Sequence, residues 1–137
     1  MKELVRKPAW RTLMAEEIDR RRSMPFAWGR NDGGLFAADV VLAMTGEDLA
    51  RSYRKRYRSE HGAMRMLFEA GIETLPDLIA TMLPEIHLSR ARTGDVGAVE
   101  VNGRWCCGII NGATLIVLRE QGVGSLPLTT VKRVFKV

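Results

Sequence analysis

Histidine, cysteine and long apolar runs are all scarce in this chain, and each shortage closes off a class of function. Its 137 residues include two histidines and two cysteines. No stretch reaches the roughly 18 consecutive apolar residues that a membrane helix needs. The opening segment, Met1-Lys2-Glu3-Leu4-Val5-Arg6-Lys7-Pro8, is charged and lacks the apolar centre of a secretory signal, so cytoplasmic synthesis without an export signal is expected. Cys106 and Cys107 are adjacent. Neighbours on a strand point to opposite faces, which argues against a mutual disulfide and excludes a disulfide framework. The spacing of roughly two to four residues usual in a metal-binding cysteine pair is also missing. Both read as small core fillers, and no metal or cofactor is expected.

What is present suits an ordinary folded domain: 46% hydrophobic and 27% charged residues, enough apolar material for one core. The length fits a single domain over 1–137, with a helical part at 8–90 and a sheet part at 94–137. The net charge is +5. Up to residue 70 there are 14 Lys and Arg against 10 Asp and Glu, and beyond it 7 against 6, so the basic excess sits in the first half. Its densest run is Arg51, Arg54, Lys55, Arg56 and Arg58. Such a run can meet an acidic protein face or nucleic acid, and is more often a solvated helix face. Nucleic acid is the disfavoured partner.

Helical periodicity dominates the first half. Trp10, Leu13, Met14 and Ile18 recur at three- and four-residue steps, and Pro25 closes that helix. Asn31-Asp32-Gly33-Gly34 reads as a tight turn; it lacks the Lys-Ser/Thr of a phosphate loop. From Leu35 to Met44 nearly every residue is apolar, the mark of a buried central helix ended by Gly46, and its one charge, Asp39, needs a hydrogen bond from backbone or from an arginine. A short basic helix should follow, then a helix near 62–70, then one capped by Thr74 and running to about Leu83. Met14, Met44, Met64, Met66 and Met82 fall at core-like positions. Trp28 and Trp105 read as core too. His61 and His87 read as surface or loop residues.

After Thr93-Gly94-Asp95 the pattern becomes one of strands. Val96–Val101, Arg104–Ile110 and Ala113–Leu118 are separated by Asn102-Gly103 and Asn111-Gly112. Asn-Gly is the strong hairpin signal because both central residues of a type I′ turn need positive φ. A three-stranded antiparallel meander results, with a loop through Gly122, Gly124 and Pro127 and a last strand at Val131–Val137. The fold class is α+β, N-terminal helices packed on a C-terminal antiparallel meander.

Trp28-Gly29-Arg30-Asn31-Asp32-Gly33-Gly34-Leu35-Phe36 resembles the nucleophile motif of the NlpC-type, papain-like cysteine peptidases, in which Asp-Cys opens a buried helix. Gly94-Asp95-Val96 resembles that family's first sheet strand, and Cys106-Cys107-Gly108-Ile109 stands where it has His-Val-Gly-Ile. More narrowly, Phe36-Ala37-Ala38-Asp39, Thr45-Gly46, Arg56-Tyr57-Arg58 and Gly62-Ala63-Met64-Arg65 resemble short phage and prophage proteins of this fold, whose genes sit among tail-tip genes. The resemblance spans roughly residues 10–118.

Carried over residue by residue, the nucleophile position falls on Gly33, which has no side chain, and the base position on Cys106. The third polar position falls among Leu115, Ile116 and Val117. A thiol with an ordinary pKa near 8.5 does not do the work of an imidazole. The resemblance therefore implies a pseudoenzyme with a remnant cleft at Trp28, Asp32, Gly33, Gly34, Trp105 and Cys106. The implied role is a structural component of a phage tail tip, assembled in the host cytoplasm and kept in the virion. It would dock on hub, distal-tail or tail-fibre proteins, with Arg51, Arg54, Lys55, Arg56 and Arg58 as a docking face. The alternatives are a peptidoglycan-directed cysteine peptidase or amidase, and a transient tail assembly factor.

Overall fold

Two helices and a six-stranded sheet share one apolar interior in the computed structural model, which describes residues 3–137. Met1 and Lys2 of the charged opening segment lie outside the described residues. Helix α1 (Trp10–Arg22) buries Met14, Ile18 and Arg21 along one stripe, and it ends before Pro25 is reached. Helix α2 (Gly33–Thr45) starts on Asp32, whose side chain accepts from the Leu35 amide. It stops at Gly46 in the left-handed region at φ 84°, where a glycine carries no Cβ penalty. Phe36, Val40, Val41 and Met44 of α2 are fully enclosed, each worth roughly 1.5–3 kcal/mol of burial.

Helices α3 (Glu60–Glu69) and α4 (Leu75–Ala80) are capped by Ser59 and Thr74. The basic helix expected between α2 and α3 does not form. Residues 49–55 are successive turns, because Arg54 folds inward and Lys55 adopts φ 62°. Met64 departs from the core role given to it, being 51% exposed on α3, where it lines the cleft at the start of α2. Among the described residues no helix is long and apolar enough to cross a membrane.

The strands are β1 (Glu85–Ile86), β2 (Val96–Val101), β3 (Arg104–Asn111), β4 (Thr114–Arg119), β5 (Gly122–Pro127) and β6 (Arg133–Phe135). Their order is β1-β6-β2-β3-β4-β5, antiparallel throughout. The α+β class holds, and the meander gains a fourth strand. Gly122–Pro127, expected as a loop, pairs with β4 over six positions. Strand β1 lies inside the segment assigned to helices, so the sheet begins before residue 94. The last strand, Arg133–Phe135, is also shorter than Val131–Val137, and a 3-10 turn at Leu128–Thr130 precedes it.

The two Asn-Gly turns differ. Asn102 and Gly103 both have positive φ, 52° and 77°, as a type I′ turn requires. In the second, Asn111 belongs to β3 and pairs with Thr114, so the central residues are Gly112 and Ala113 and only the glycine has positive φ. That one-sided pattern is of type II′.

Strand alternation divides the core. Val96, Ala98, Cys107, Ile109, Ile116, Leu118 and Phe135 face α1 and α2, while Val99, Ile110, Leu115, Val117, Val131 and Val134 form a separate cluster. A Cβ on Gly97 of β2 would meet Leu115 of β4 at 2.7 Å. A side chain reaching across the intervening strand means that the sheet curls around its second cluster.

Candidate functional site

The start of α2 opens onto a cleft of about 1030 Å³ between the sheet and the chain from 49 to 75. All six residues expected at the remnant cleft line it: Trp28, Asp32, Gly33, Gly34, Trp105 and Cys106. Trp28 and Trp105 are half-buried in its wall and do not lie in the sealed core.

Asp32 is almost fully buried and its carboxylate is committed to the backbone and to Tyr57. One oxygen accepts from the Leu35 amide at 3.0 Å; the other accepts from the Gly29 amide at 2.9 Å and the Tyr57 hydroxyl at 2.6 Å. Burial and the neighbouring carboxylate push the Tyr57 hydroxyl far above its ordinary pKa, so it stays a donor. Gly29 sits at φ 81° with the Tyr57 carbonyl oxygen 2.0 Å from where a Cβ would be. The turn is thus a structural joint. Its anchors explain Asp32, Tyr57 and Gly29.

Gly33 is the first residue of α2 and has ordinary backbone angles. A Cβ built on it meets only the Leu118 carbonyl oxygen, at 3.1 Å. Across the cleft, alternation places Trp105 and Cys107 on the helix side of β3. Cys106 borders the cleft, but it packs with Val99 and Val101 on the second face of the sheet. Burial pushes the Cys106 thiol up and the fully buried Cys107 thiol up to about 12, so neither is a thiolate near neutral pH. His61 borders the cleft from the first turn of α3, exposed, and His87 caps a 3-10 turn with its Nδ1 against Ser89. Among the described residues no group of three or more His, Cys, Asp or Glu could hold a metal ion.

Asp39 has the arginine partner it needs, twice over. Arg21 and Arg54 grip its two oxygens from α1 and from the turn segment, Arg54 at 2.6 Å. Arg21 also donates to Glu17 at 2.9 Å and to Asn31 at 2.9 Å, and Arg54 to Asp48 at 2.8 Å. Arg54 is therefore removed from the docking face read in the sequence; a buried carboxylate drew it inward. Arg51, Lys55, Arg56 and Arg58 remain exposed.

Two further arrangements carry no sequence signal. Arg104 at the start of β3 pairs with Glu60 of α3 and, at 3.4 Å, with Glu120, bridging the cleft mouth. Arg6 donates to the Thr93 carbonyl at 2.8 Å, to the buried Asp95 at 3.1 Å and to the Val137 carbonyl at 3.1 Å, and it stacks on Trp10. Pairing of charges so distant in sequence cannot be read from either residue alone.

Residues 5–137 match the model of a family described as Domain of unknown function (DUF6950). The chain belongs to that family. No curated protein matches it. Among solved structures it is similar to the NlpC/p60 domain of the peptidoglycan hydrolase SagA, with a TM-score of 0.60 and 18% identity, covering 92% of this chain and 97% of that one. This DUF6950 chain therefore has the NlpC-like fold expected from its motifs.

Proposed function

We infer that this protein is a non-catalytic structural component of a phage tail tip, or of a phage-derived particle, that docks on other tail proteins. The observation that carries the reading is the glycine at the head of α2, where a reactive side chain would gain from the helix dipole. Its surroundings agree with that reading. Asp32 is committed to holding a turn, and the two thiols of the sheet wall are kept protonated by burial. The base position carries a cysteine turned to the other face of the sheet. The tail context comes from the resemblance of the Phe36-Ala37-Ala38-Asp39 and Gly62-Ala63-Met64-Arg65 segments to short phage proteins.

Assembly would take place in the host cytoplasm, and the finished protein would stay in the virion. The test is a quantitative mass-spectrometric inventory of particles purified from the source strain. The expected result is a fixed, small copy number beside the tail-tip proteins. Absence from particles while the lysate contains the chain overturns the reading in favour of a transient assembly factor. A peptidoglycan-directed peptidase or amidase would instead show cell-wall hydrolysis that disappears in Cys106→Ser/Cys107→Ser.

A further inference from the structure

Arg30, Arg51, Lys55, Arg56 and Arg58 are all exposed, and among the described residues none makes a direct ion pair, although the charge of Arg51 is felt by Asp48. The one side-chain bond in the group is from Arg56 to the Ser52 carbonyl. Elsewhere on the surface some cations are paired, as in Arg20 with Glu17, Arg65 with Glu69, Lys132 with Glu100 and Arg133 with Glu85, and others such as Arg90 and Arg92 are scattered rather than gathered in one run. Concentrated like charge opposes folding, and the longer-range attraction of Arg51 to Asp48 offsets only part of it here.

The segment bearing these cations is nevertheless held firmly. Arg54 is tied to Asp39 and Asp48, the Tyr57 hydroxyl to Asp32, and the Lys55 amide to the Gly29 carbonyl at 3.0 Å. This last bond joins the 51–58 segment to the turn that carries Arg30, a residue outside the run noticed in the sequence. Lys55 takes a left-handed conformation at φ 62° to make it, which is costly for a side-chain-bearing residue. A cationic surface that is pinned in place and makes no direct ion pair suits an anion on another molecule.

We propose that Arg30, Arg51, Lys55, Arg56 and Arg58 form a docking surface for an acidic segment of a partner protein. The proposal rests on the docking function above and supplies the partner's chemistry. Four of the five are arginines, whose planar guanidinium forks match carboxylates in pairs. Nucleic acid fits less well. The segment is a run of turns and offers no helix to enter a groove, and its tyrosines are half-buried, leaving no exposed stacking platform.

The test uses the full chain and fluorescence anisotropy with a fluorescein-labelled peptide of alternating glutamate and serine, beside a labelled short DNA duplex. The parent protein binds the peptide at low salt and releases it as salt rises. Arg30→Glu/Lys55→Glu weakens binding about tenfold. Arg90→Glu/Arg92→Glu, with the same change in net charge on another exposed segment, weakens it less than about twofold. Arg56→Glu/Arg58→Glu repeats the loss should the first variant melt early. The proposal is overturned if both surfaces lose affinity alike, if the duplex binds more tightly than the peptide, or if the parent ignores the peptide. Recovering the peptide intact keeps these outcomes distinct from hydrolysis, which would sink the non-catalytic reading itself.

Discussion

Asp39→Ala is the sharpest probe of the interior, because it removes one carboxylate from between two arginines. Arg21 lies 5% exposed on α1 and would keep only Glu17 and Asn31 as partners. Arg54 is more accessible and retains Asp48. Breaking a buried ion pair from one side costs about 3–5 kcal/mol, and the retained partners place this case at the lower end, about 3 kcal/mol. At about 2.1 cal/mol/K of unfolding entropy per residue, a chain of this length should melt about 10 °C lower. Urea unfolding followed by circular dichroism measures the loss directly. The reasoning also fixes the double variant. Asp39→Leu with Arg21→Met exchanges the pair for apolar side chains of similar reach, and should recover more than half of the deficit, since the cost lies in stranding a charge. A loss below about 1 kcal/mol for Asp39→Ala, or a double variant as weak as the sum of the singles, would refute the account.

Three other outcomes are expected. Gly29→Ala should cost well over about 1 kcal/mol in the same urea assay, because it combines a left-handed backbone with a clash against the Tyr57 carbonyl. In thiol titration at pH 8 the buried Cys107 should stay silent until denaturant is added, while Cys106 reacts slowly; rapid labelling of both would contradict the raised pKa values. Arg133 holds the carboxyls of Glu85 and Asp77 below their usual range by hydrogen bonding. A depressed carboxylate stabilises above its unfolded pKa and loses that contribution as pH falls through its folded value. Arg133→Gln should therefore be less stable than the parent at pH 7, with the gap closing as the solution is acidified below about pH 4; an undiminished gap at low pH would disprove the linkage.

The central helix was legible because its apolar run is unbroken and its stop, Gly46, is a residue that tolerates the left-handed cap. The first hairpin was legible from Asn102-Gly103 for the same kind of local reason. The second turn was found but shifted by one residue, since either neighbour of Gly112 can complete a two-residue turn. Strand β5 escaped notice because Gly-Val-Gly-Ser-Leu-Pro has the composition of a loop, and only the ladder to β4 makes it a strand. The motif at 28–36 and the strand at 105–106 border one cleft because α2 starts opposite β3, although Cys106 packs on the other face of the sheet. The set of exposed cations around 51–58 was only partly legible. Arg54 turned toward a buried charge that periodicity could not locate, and Arg30 arrived through a backbone bond from Lys55. Local signals reveal elements; long-range pairing decides which side chains remain outside.

The strand order has a consequence for how the chain must assemble. Strand β6 lies between β1 and β2, pairing Phe135 with both Glu85 and Val96. Until residues 133–135 arrive, β1 has no neighbour and the outer edge of β2 is an open template for other chains. The helices and the β2–β5 hairpins can form early through short loops, but closure of the sheet waits on Arg133, 48 residues after Glu85 of β1. A chain cut within the 3-10 turn at Leu128–Thr130 would keep most of its elements and still expose an unpaired edge beside an unfilled slot for Phe135. Such fragments should aggregate rather than fold.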